Sequence, residues 1–192
     1  CGASIFAGHE MIKSLPCKGK EVDDVLKWVK EHKLCAEVVS NKNRVTCGRV
    51  NKYVEGYHYV YQDPIALRKH DHKPVTGFLL YAPKEYDEEF QKLFPNLCFF
   101  RFAEYGVDIG NVPHIKGQGI ADVLKYFNLT KEQAIAFGDD IQDISMKESV
   151  QYFVCVGNGR EEVKKAADFV SKPITEDGLL EAFKKFNLVW VN

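Results

Sequence analysis

From residue 114 onward, the sequence alternates regularly between short apolar runs and amphipathic helix patterns. The runs AIAF, YFVCV and DFVS are strand-like, and IADVLKYF, ISMKES, EEVKKAA and EDGLLEAFKKF are helix-like. Strands that are apolar on both faces are typical of parallel sheets, because helices cover both sides of such sheets. This part of the chain is therefore predicted to be α/β, with a parallel sheet between helices.

The first 113 residues follow a less regular pattern. The strand-like runs ASIF, CAEVV, TGFLLY and CFFRF are separated by two helix patterns, KEVDDVLKWVKEHK and EYDEEFQKLF. The first helix places four apolar residues on one face and should pack on a sheet: Val22, Val25, Leu26 and Val29. The segment 51–74 is rich in Tyr, His and charge and is assigned only loosely. We expect an α+β domain at 1–113 and an α/β domain at 114–192.

The composition predicts a soluble, cytoplasmic protein. Of 192 residues, 45% are hydrophobic, and 26 basic and 27 acidic residues leave a net charge of −1. Because this balance offers no general basic surface, neither nucleic acid nor a membrane is an expected partner. No run approaches the roughly 18 apolar residues of a membrane span, and the first residues lack a signal-peptide layout. The six cysteines are expected to be free thiols, with disulfides as the alternative.

An acidic turn follows the first strand of the α/β part, in the stretch AIAFGDDIQD. Ligands of open parallel sheets bind beyond the carboxyl ends of the strands, where this turn falls. Asp139 and Asp143 can direct two carboxylates at one point, and Mg²⁺ prefers oxygen ligands of this kind. The alternative is that Asp139 or Asp140 caps the following helix.

A lysine and a glycine-rich turn are expected near the same crevice. Lys116, in HIKGQGI, precedes the helix that leads into the acidic strand, so its ammonium group can neutralise a phosphate there. The alternative is an ordinary solvated lysine. The turn VGNGR, residues 156–160, offers backbone N–H groups to an anion at a helix start. It is alternatively a tight connection, because it does not complete a dinucleotide-binding G-x-G-x-x-G pattern.

The order of these motifs resembles the haloacid dehalogenase (HAD) superfamily, specifically its Cof-type phosphatases. The motifs are K-G, F-G-D-x-x-x-D-x-x-M, V-G-N-G-x-x-x-V-K-x-x-A-D-x-V and E-D-G-L-L-E-A-F. The resemblance implies that Lys116 stabilises the attacked phosphate and that Asp139 binds Mg²⁺. It makes Asp143 the second acid of the metal shell and, with Lys116, a catalytic residue. Asn158 would lie near the site as a substrate-binding residue, and Lys164 would be structural.

The resemblance also assigns roles to the two predicted domains. Residues 1–113 would be the α/β cap that selects the substrate, and residues 114–192 the C-terminal part of a Rossmann-like core. Five cap residues are candidate substrate contacts: Tyr57, Tyr59, Arg68, His70 and His72. Surface aromatic residues and solvated charges explain them equally well. A metal site at His70, Asp71 and His72 is less favoured than a solvent-facing loop.

Two departures from the family pattern affect the interpretation. Gln142 stands where the family usually has Asn. HAD phosphatases attack phosphorus with the first Asp of a D-x-D-G-T motif, and its second Asp is the general acid and base. This sequence has no two aspartates separated by one residue. We therefore expect a fragment of a longer protein, or alternatively a shortened natural protein that has lost its chemistry.

The expected function of the intact protein is that of an Mg²⁺-dependent phosphatase acting through an aspartyl-phosphate on a small phosphorylated metabolite, such as a sugar phosphate. The chain by itself should be inactive, because the nucleophile lies outside it. The alternative is a catalytically inert module that binds a phosphorylated ligand or a partner protein. The strand before Asp139 should expose an unpaired edge, which predicts self-association through that edge.

Overall fold

The computed structural model describes five stretches of the chain: residues 3–41, 43–62, 64–70, 73–111 and 116–188. They form two units, one comprising Lys13–Pro113 and the other Cys1–Ile12 together with His114–Asn192. The change of unit near residue 113 coincides with the change in sequence pattern. No helix within the described stretches is long and apolar enough to cross a bilayer.

Residues 1–12 differ from the predicted division, because they belong to the unit that contains the C-terminal part. They include strand β1 (Ser4–Ala7) and most of β2 (Glu10–Ser14), which pair with each other. Tyr126 donates a hydrogen bond from its hydroxyl to Glu10 Oε2 at 2.7 Å. The sequence could not reveal this association, because the two residues lie 116 positions apart.

The unit Lys13–Pro113 contains an antiparallel five-stranded sheet in the order β4-β3-β5-β7-β6. Its strands are β3 (Cys35–Ser40), β4 (Arg44–Gly48), β5 (Val75–Tyr81), β6 (Cys98–Ala103) and β7 (Gly106–Gly110). Its helices are α1 (Gly19–Glu31), α2 (Lys52–Tyr61) and α3 (Asp87–Leu93), with a 3-10 turn at Lys84–Tyr86.

Helices α1 and α3 cover the main hydrophobic core of this sheet. Val22, Val25 and Val29 are buried as the sequence predicted, and Leu26 packs at the edge of the core. Phe90 of α3 is in edge-to-face contact with Trp28, at a ring-centroid distance of 5.2 Å. Burying these apolar side chains is the main stabilisation of the unit.

Helix α2 lies in the segment that the sequence assigned only loosely. Its cap is Asn51, whose Oδ1 accepts hydrogen bonds from the N–H groups of Tyr53 and Val54, both at 3.1 Å. An asparagine at this position is a common start signal of a helix. The helix also keeps aromatic residues on its outside, with Tyr59 86% exposed, which obscured the apolar pattern.

A charged cluster is buried between α2 and the sheet, with Glu37 of β3 at its centre. Glu37 Oε2 accepts the Tyr81 hydroxyl at 2.6 Å. Glu37 Oε1 lies 3.1 Å from His58 Nε2, 3.3 Å from Arg44 Nε and 3.5 Å from the Thr46 hydroxyl. Glu37 is only 2% exposed, so these contacts replace the water that a carboxylate would otherwise bind. Burial, together with the hydrogen bond to Glu37, raises the pKa of Tyr81.

The other unit contains the predicted parallel sheet, in the order β10-β9-β8. Its strands are β8 (Ile135–Gly138), β9 (Tyr152–Cys155) and β10 (Phe169–Val170). Its helices are α4 (Lys116–Tyr126), α5 (Glu161–Ala166) and α6 (Gly178–Lys185). Three 3-10 helices accompany them: Lys131–Gln133, Ile141–Ser149 and Ile174–Glu176. The segment ISMKES thus lies in a 3-10 helix.

Strand β8 is at one end of this sheet and pairs, within the described stretches, with β9 alone. The backbone groups on its other side therefore form an open edge, as the sequence predicted. Self-association through that edge stays a prediction.

The described cysteines are free thiols: Cys17, Cys35, Cys47, Cys98 and Cys155. Burial raises the pKa of the Cys17 thiol to about 11 and that of Cys35 to about 12. These two thiols therefore stay protonated at neutral pH and behave as small apolar groups.

Candidate active site

The candidate site lies at the carboxyl end of β8, where the chain turns into the 3-10 helix Ile141–Ser149. Asp143, in the first turn of that helix, is 4% exposed. Its Oδ2 accepts the backbone N–H groups of Asp139 at 2.9 Å and Asp140 at 3.1 Å. Its Oδ1 accepts a hydrogen bond from Lys116 Nζ. The structure thus joins the predicted lysine to the acidic turn over a separation of 27 residues.

The surroundings of Asp143 favour its charged form. Burial by itself would raise the pKa of this carboxyl group. The Lys116 ammonium and the N–H groups of Asp139 and Asp140 stabilise the carboxylate more strongly, so the pKa lies below its usual range. Asp143 is therefore an anion at neutral pH, and it accepts the hydrogen bond from the Lys116 ammonium group.

Two glycines allow the parts of this site to approach closely. A Cβ atom on Gly138 would lie 2.5 Å from Asp143 Cβ. A Cβ atom on Gly117 would lie 1.9 Å from the carbonyl oxygen of Ser145, whose hydroxyl accepts the Gly117 N–H at 3.3 Å. The glycine after Lys116 therefore lets the start of α4 pack directly on the 3-10 helix, which brings the lysine to Asp143.

The predicted capping alternative also holds, and it applies to Asp140. Asp140 Oδ1 accepts the N–H of Ile141 at 2.7 Å, and Asp143 reaches back to the N–H of Asp140 in a capping box. Arg160 Nε lies 2.9 Å from Asp140 Oδ1 in a partly exposed ion pair. The Asp140 side chain thus caps the start of the 3-10 helix, whereas the Asp139 side chain does not.

Asp139 presents an exposed carboxylate at the mouth of the turn. Among the described residues, none donates a hydrogen bond to its side chain. Its backbone is firmly held, because its N–H donates to Asp143 and its carbonyl accepts the Arg160 N–H at 2.9 Å. The site therefore combines a fixed backbone with a carboxylate that is available to a ligand.

The turn at residues 156–160 lies beside Asp139, and most of its N–H groups are bonded to backbone carbonyls. Four of its N–H groups donate to backbone carbonyls: Val156 to Gly138 at 3.2 Å, Gly157 to Lys172 at 3.0 Å, Gly159 to Val156 at 2.7 Å, and Arg160 to Asp139 at 2.9 Å. A Cβ atom on Gly159 would lie 3.2 Å from Asp139 Cα. These bonds favour the predicted tight connection, because closing the turn uses most of its own N–H donors.

Asn158, the predicted substrate-binding residue, is exposed in this turn, and its Oδ1 accepts the Ile174 N–H at 2.9 Å. Its carbonyl oxygen therefore holds the loop before α6. Lys164 forms an ion pair with Glu161 at 2.8 Å on the surface of α5, in keeping with the predicted structural role.

The candidate substrate contacts of the first domain lie in the unit Lys13–Pro113. Tyr57 stacks on Tyr61 at a centroid distance of 4.5 Å, and Tyr59 is almost fully exposed. The alternative metal site included Asp71 and His72, which lie outside the described stretches.

The donor set allows a test of the predicted Mg²⁺ site. The described stretches contain no group of three or more His, Cys, Asp or Glu side chains that could hold a metal ion. Both Asp143 oxygens already accept hydrogen bonds, and Lys116 offsets its charge, so direct coordination by Asp143 is not supported by this geometry. Asp139 remains. One carboxylate fits Mg²⁺, which usually keeps several waters and takes one or two carboxylates and substrate phosphates.

The chain is similar to known hydrolases and to proteins named as phosphatases. A family model described as haloacid dehalogenase-like hydrolase matches residues 1–183. The YkrA protein of Bacillus subtilis is 34% identical over 119 residues, which are 61% of this chain and 45% of YkrA. Phosphoglycolate phosphatase of Sulfolobus acidocaldarius is 29% identical over 111 residues, 58% of this chain and 49% of that protein. The chain thus spans about half the length of these two relatives.

A solved structure agrees over nearly the whole chain. A HAD subclass IIB sugar phosphatase superposes with a TM-score of 0.83 at 26% identity, covering 98% of this chain and 74% of that one. The predicted fold class, mixed α/β with a Rossmann-like parallel sheet, is therefore confirmed. The roles of cap and core that were assigned to the two predicted domains stay a prediction.

Proposed function

Because the chain belongs to the haloacid dehalogenase-like hydrolase family, we propose that it supplies the Mg²⁺-binding and phosphate-neutralising half of a phosphatase site. The nucleophilic aspartate, and the aspartyl-phosphate formed on it, belong to polypeptide outside these 192 residues. The proposed substrate is a small phosphorylated metabolite such as a sugar phosphate. The names of the phosphoglycolate phosphatase and sugar phosphatase relatives support this class.

The contact between Lys116 and Asp143 carries this proposal. An ammonium group has three N–H donors, and Asp143 takes one of them. The others can donate to phosphoryl oxygens, whose charge must be offset as phosphorus is transferred. Lys116 is thus the proposed catalytic residue. Asp143, which acts by orienting Lys116, is a positioning residue.

Asp139 is the proposed direct ligand of Mg²⁺, with water molecules and substrate oxygens completing the coordination. The metal ion, when bound, adds positive charge beside the phosphoryl group. The contribution of this chain is to present the Asp139 carboxylate from a backbone held at both its N–H and its carbonyl.

The activity test uses the protein encoded by the whole gene, including whatever precedes Cys1. We expect it to release phosphate from p-nitrophenyl phosphate with Mg²⁺ and not with EDTA. Asp139→Asn should abolish the activity. The matched control Asp177→Asn removes an equal charge from an exposed residue that makes no side-chain cap bond, and should leave the rate within about twofold. Phosphate binding without turnover in the unmodified protein would instead identify a binding module.

The positioning role of Asp143 has its own readout. Asp143→Asn should lower kcat more than it raises KM, because the misplaced Lys116 ammonium chiefly supports the transition state. An unchanged kcat in that variant would contradict the role.

A direct test of the metal proposal uses the 192-residue chain. Calorimetric titration with MgCl₂ should detect weak binding that Asp139→Asn removes and Asp177→Asn retains.

The same preparation tests the open edge of β8, which we propose pairs with β8 of a second copy of the chain. Light scattering that finds a monomer at high concentration would contradict that pairing.

A further inference from the structure

A second region of concentrated charge lies in the unit Lys13–Pro113, in a cavity of about 450 Å³. Its walls come from the second half of α1 with Lys33 after it, the end of β4 with Arg49 after it, and the segment at 68–70. Five basic side chains line it: Lys30, Lys33, Arg49, Arg68 and Lys69. Among the described residues that line it, none is acidic.

These five cations have no counter-charge in the described part of the chain. Their side chains form no ion pair there, and all five residues are exposed. Lys27, on the same helix, shows the contrast, because it pairs with Glu31 at 3.9 Å. Like charges that share a concave surface repel one another and concentrate mobile anions, so an anionic ligand would relieve a standing repulsion.

The backbone of the two arginines that line the cavity, Arg49 and Arg68, is held by hydrogen bonds to neighbouring residues. The Arg49 N–H donates to the Leu34 carbonyl at 2.8 Å. The Arg68 N–H donates to the Thr46 carbonyl at 3.1 Å, and its own carbonyl accepts the Cys47 thiol at 3.4 Å. The backbone of both arginines is thus anchored, which lowers the cost of ordering their side chains on binding.

Gly48 makes this arrangement sterically feasible. Its φ is +94°, and a Cβ atom there would lie 2.4 Å from the Leu34 carbonyl oxygen. Only glycine tolerates both conditions, so the close turn that leads from β4 to Arg49 is built into the sequence.

The cavity also has an apolar part, formed by the half-buried side chains of Leu26 and Cys47. Its volume lies within the roughly 300–1,000 Å³ of sites for small organic ligands. Arginine guanidinium groups bind phosphate oxygens in pairs, whereas an apolar wall favours a ring or a hydrocarbon body.

From this combination we propose that the cavity binds a small organic anion of nucleotide size, with its phosphate groups on Arg49 and Arg68 and its apolar body against Leu26 and Cys47. The described residues that line the cavity belong to the unit Lys13–Pro113, whereas Lys116, Asp139 and Asp143 of the candidate active site belong to the other unit. A small molecule is favoured over nucleic acid because the charge is confined to one cavity of limited volume.

The test uses ATP as the probe, titrated calorimetrically into the 192-residue chain in EDTA, so that metal-dependent binding elsewhere does not contribute. ATP should bind, tripolyphosphate should bind more weakly, and adenosine should give no measurable heat. The double variant Arg49→Glu, Arg68→Glu should weaken ATP binding about 100-fold, because it removes two charge-assisted contacts and adds repulsion. The affinity should also fall when NaCl is raised.

The matched control is Lys20→Glu, Lys92→Glu, which makes the same change in net charge at exposed lysines that do not line the cavity. It should weaken binding less than about threefold, through long-range charge alone. Thermal melts of both double variants should match the unmodified chain, which separates loss of binding from loss of fold.

Three results would overturn the proposal. One is an absence of ATP binding, and another is an equal loss in the cavity and control variants. The third is loss of binding in Lys116→Ala with retention in Arg49→Glu, Arg68→Glu, which would place ATP at the candidate active site. A single-stranded oligonucleotide that binds more tightly than ATP would identify nucleic acid as the ligand and would also contradict the assignment.

Discussion

The two units each bury one acidic side chain among the described residues, Glu37 in one and Asp143 in the other, and they hold it differently. Glu37 is surrounded by side chains from β4, β5 and α2, none of them its neighbours in sequence. Asp143 is held by backbone N–H groups of its own turn and by one lysine. A carboxylate bound by its own turn keeps its position when distant packing changes, which suits a reactive site. A carboxylate bound by side chains from several elements instead ties those elements together.

The largest expected effect on stability comes from replacing Glu37. Glu37→Ala should lower the free energy of unfolding by about 3–5 kcal/mol, because it leaves the buried partners of an ion-pair cluster uncompensated. Urea denaturation measures the loss. The control Glu31→Ala removes an exposed i,i+4 pair and should cost less than about 0.5 kcal/mol. A loss below about 1 kcal/mol for Glu37→Ala would show that the cluster does not stabilise the unit.

Asp143→Ala should lower the free energy of unfolding by a smaller amount, about 2–3 kcal/mol, because two backbone N–H groups and Lys116 lose their acceptor. Asp143→Asn should cost about half as much, since its amide oxygen can still accept from the backbone. Equal losses for the two variants would mean that the backbone contacts contribute little.

The close packing of α4 gives a third comparison. Gly117→Ala should cost about 1–3 kcal/mol, because its Cβ would lie 1.9 Å from the Ser145 carbonyl oxygen. Gly119→Ala, two positions along the same helix, places its Cβ in ordinary contact 3.7 Å from Ile5 Cδ1. It should instead stabilise by about 0.5 kcal/mol through helix propensity. Thermal melts of both variants in parallel distinguish the two effects.

The lowered pKa of Asp143 predicts a modest acid dependence. A carboxyl group with a depressed folded-state pKa contributes stability above its unfolded-state pKa and loses it as pH falls through the folded-state pKa. The stability difference between the unmodified chain and Asp143→Asn should therefore be full at pH 7 and shrink below about pH 4. Urea melts across that range measure it. A difference that grew on acidification would contradict the direction of the shift.

The smallest expected effect on stability belongs to Asp139. Because its exposed carboxylate accepts no hydrogen bond from the described residues, Asp139→Asn should change the free energy of unfolding by less than about 0.5 kcal/mol. The same variant should remove Mg²⁺ binding. A large loss of stability would show that the residue is structural.

Much of the fold could be predicted because it follows from local patterns. The parallel sheet of the second part, the α1 face with Val25 and Val29, and the strand before the acidic turn follow from apolar spacing over a few residues. Helix α2 was missed, although Asn51 is a recognisable cap, because its exposed tyrosines masked the apolar stripe. The association of residues 1–12 with the second unit was also beyond local reasoning.

The candidate site was predictable in its residue types and only partly in its contacts. The motif order indicated Lys116, Asp139 and Asp143. It did not reveal that both oxygens of Asp143 accept hydrogen bonds from Lys116 and the backbone. It also did not reveal that Asn158 Oδ1 accepts the Ile174 N–H.

The sequence by itself determined many of the segments that form helices and strands and which residues could carry phosphate chemistry, since both depend on residue type and short spacing. Tertiary structure alone decided which carboxylate accepts hydrogen bonds from Lys116 and the backbone, which charges meet around Glu37, and that five cations share one cavity. The physical reason is distance along the chain. A hydrogen bond or a cavity wall depends on sheet register and helix packing that bring together residues tens of positions apart, and no local pattern records that placement.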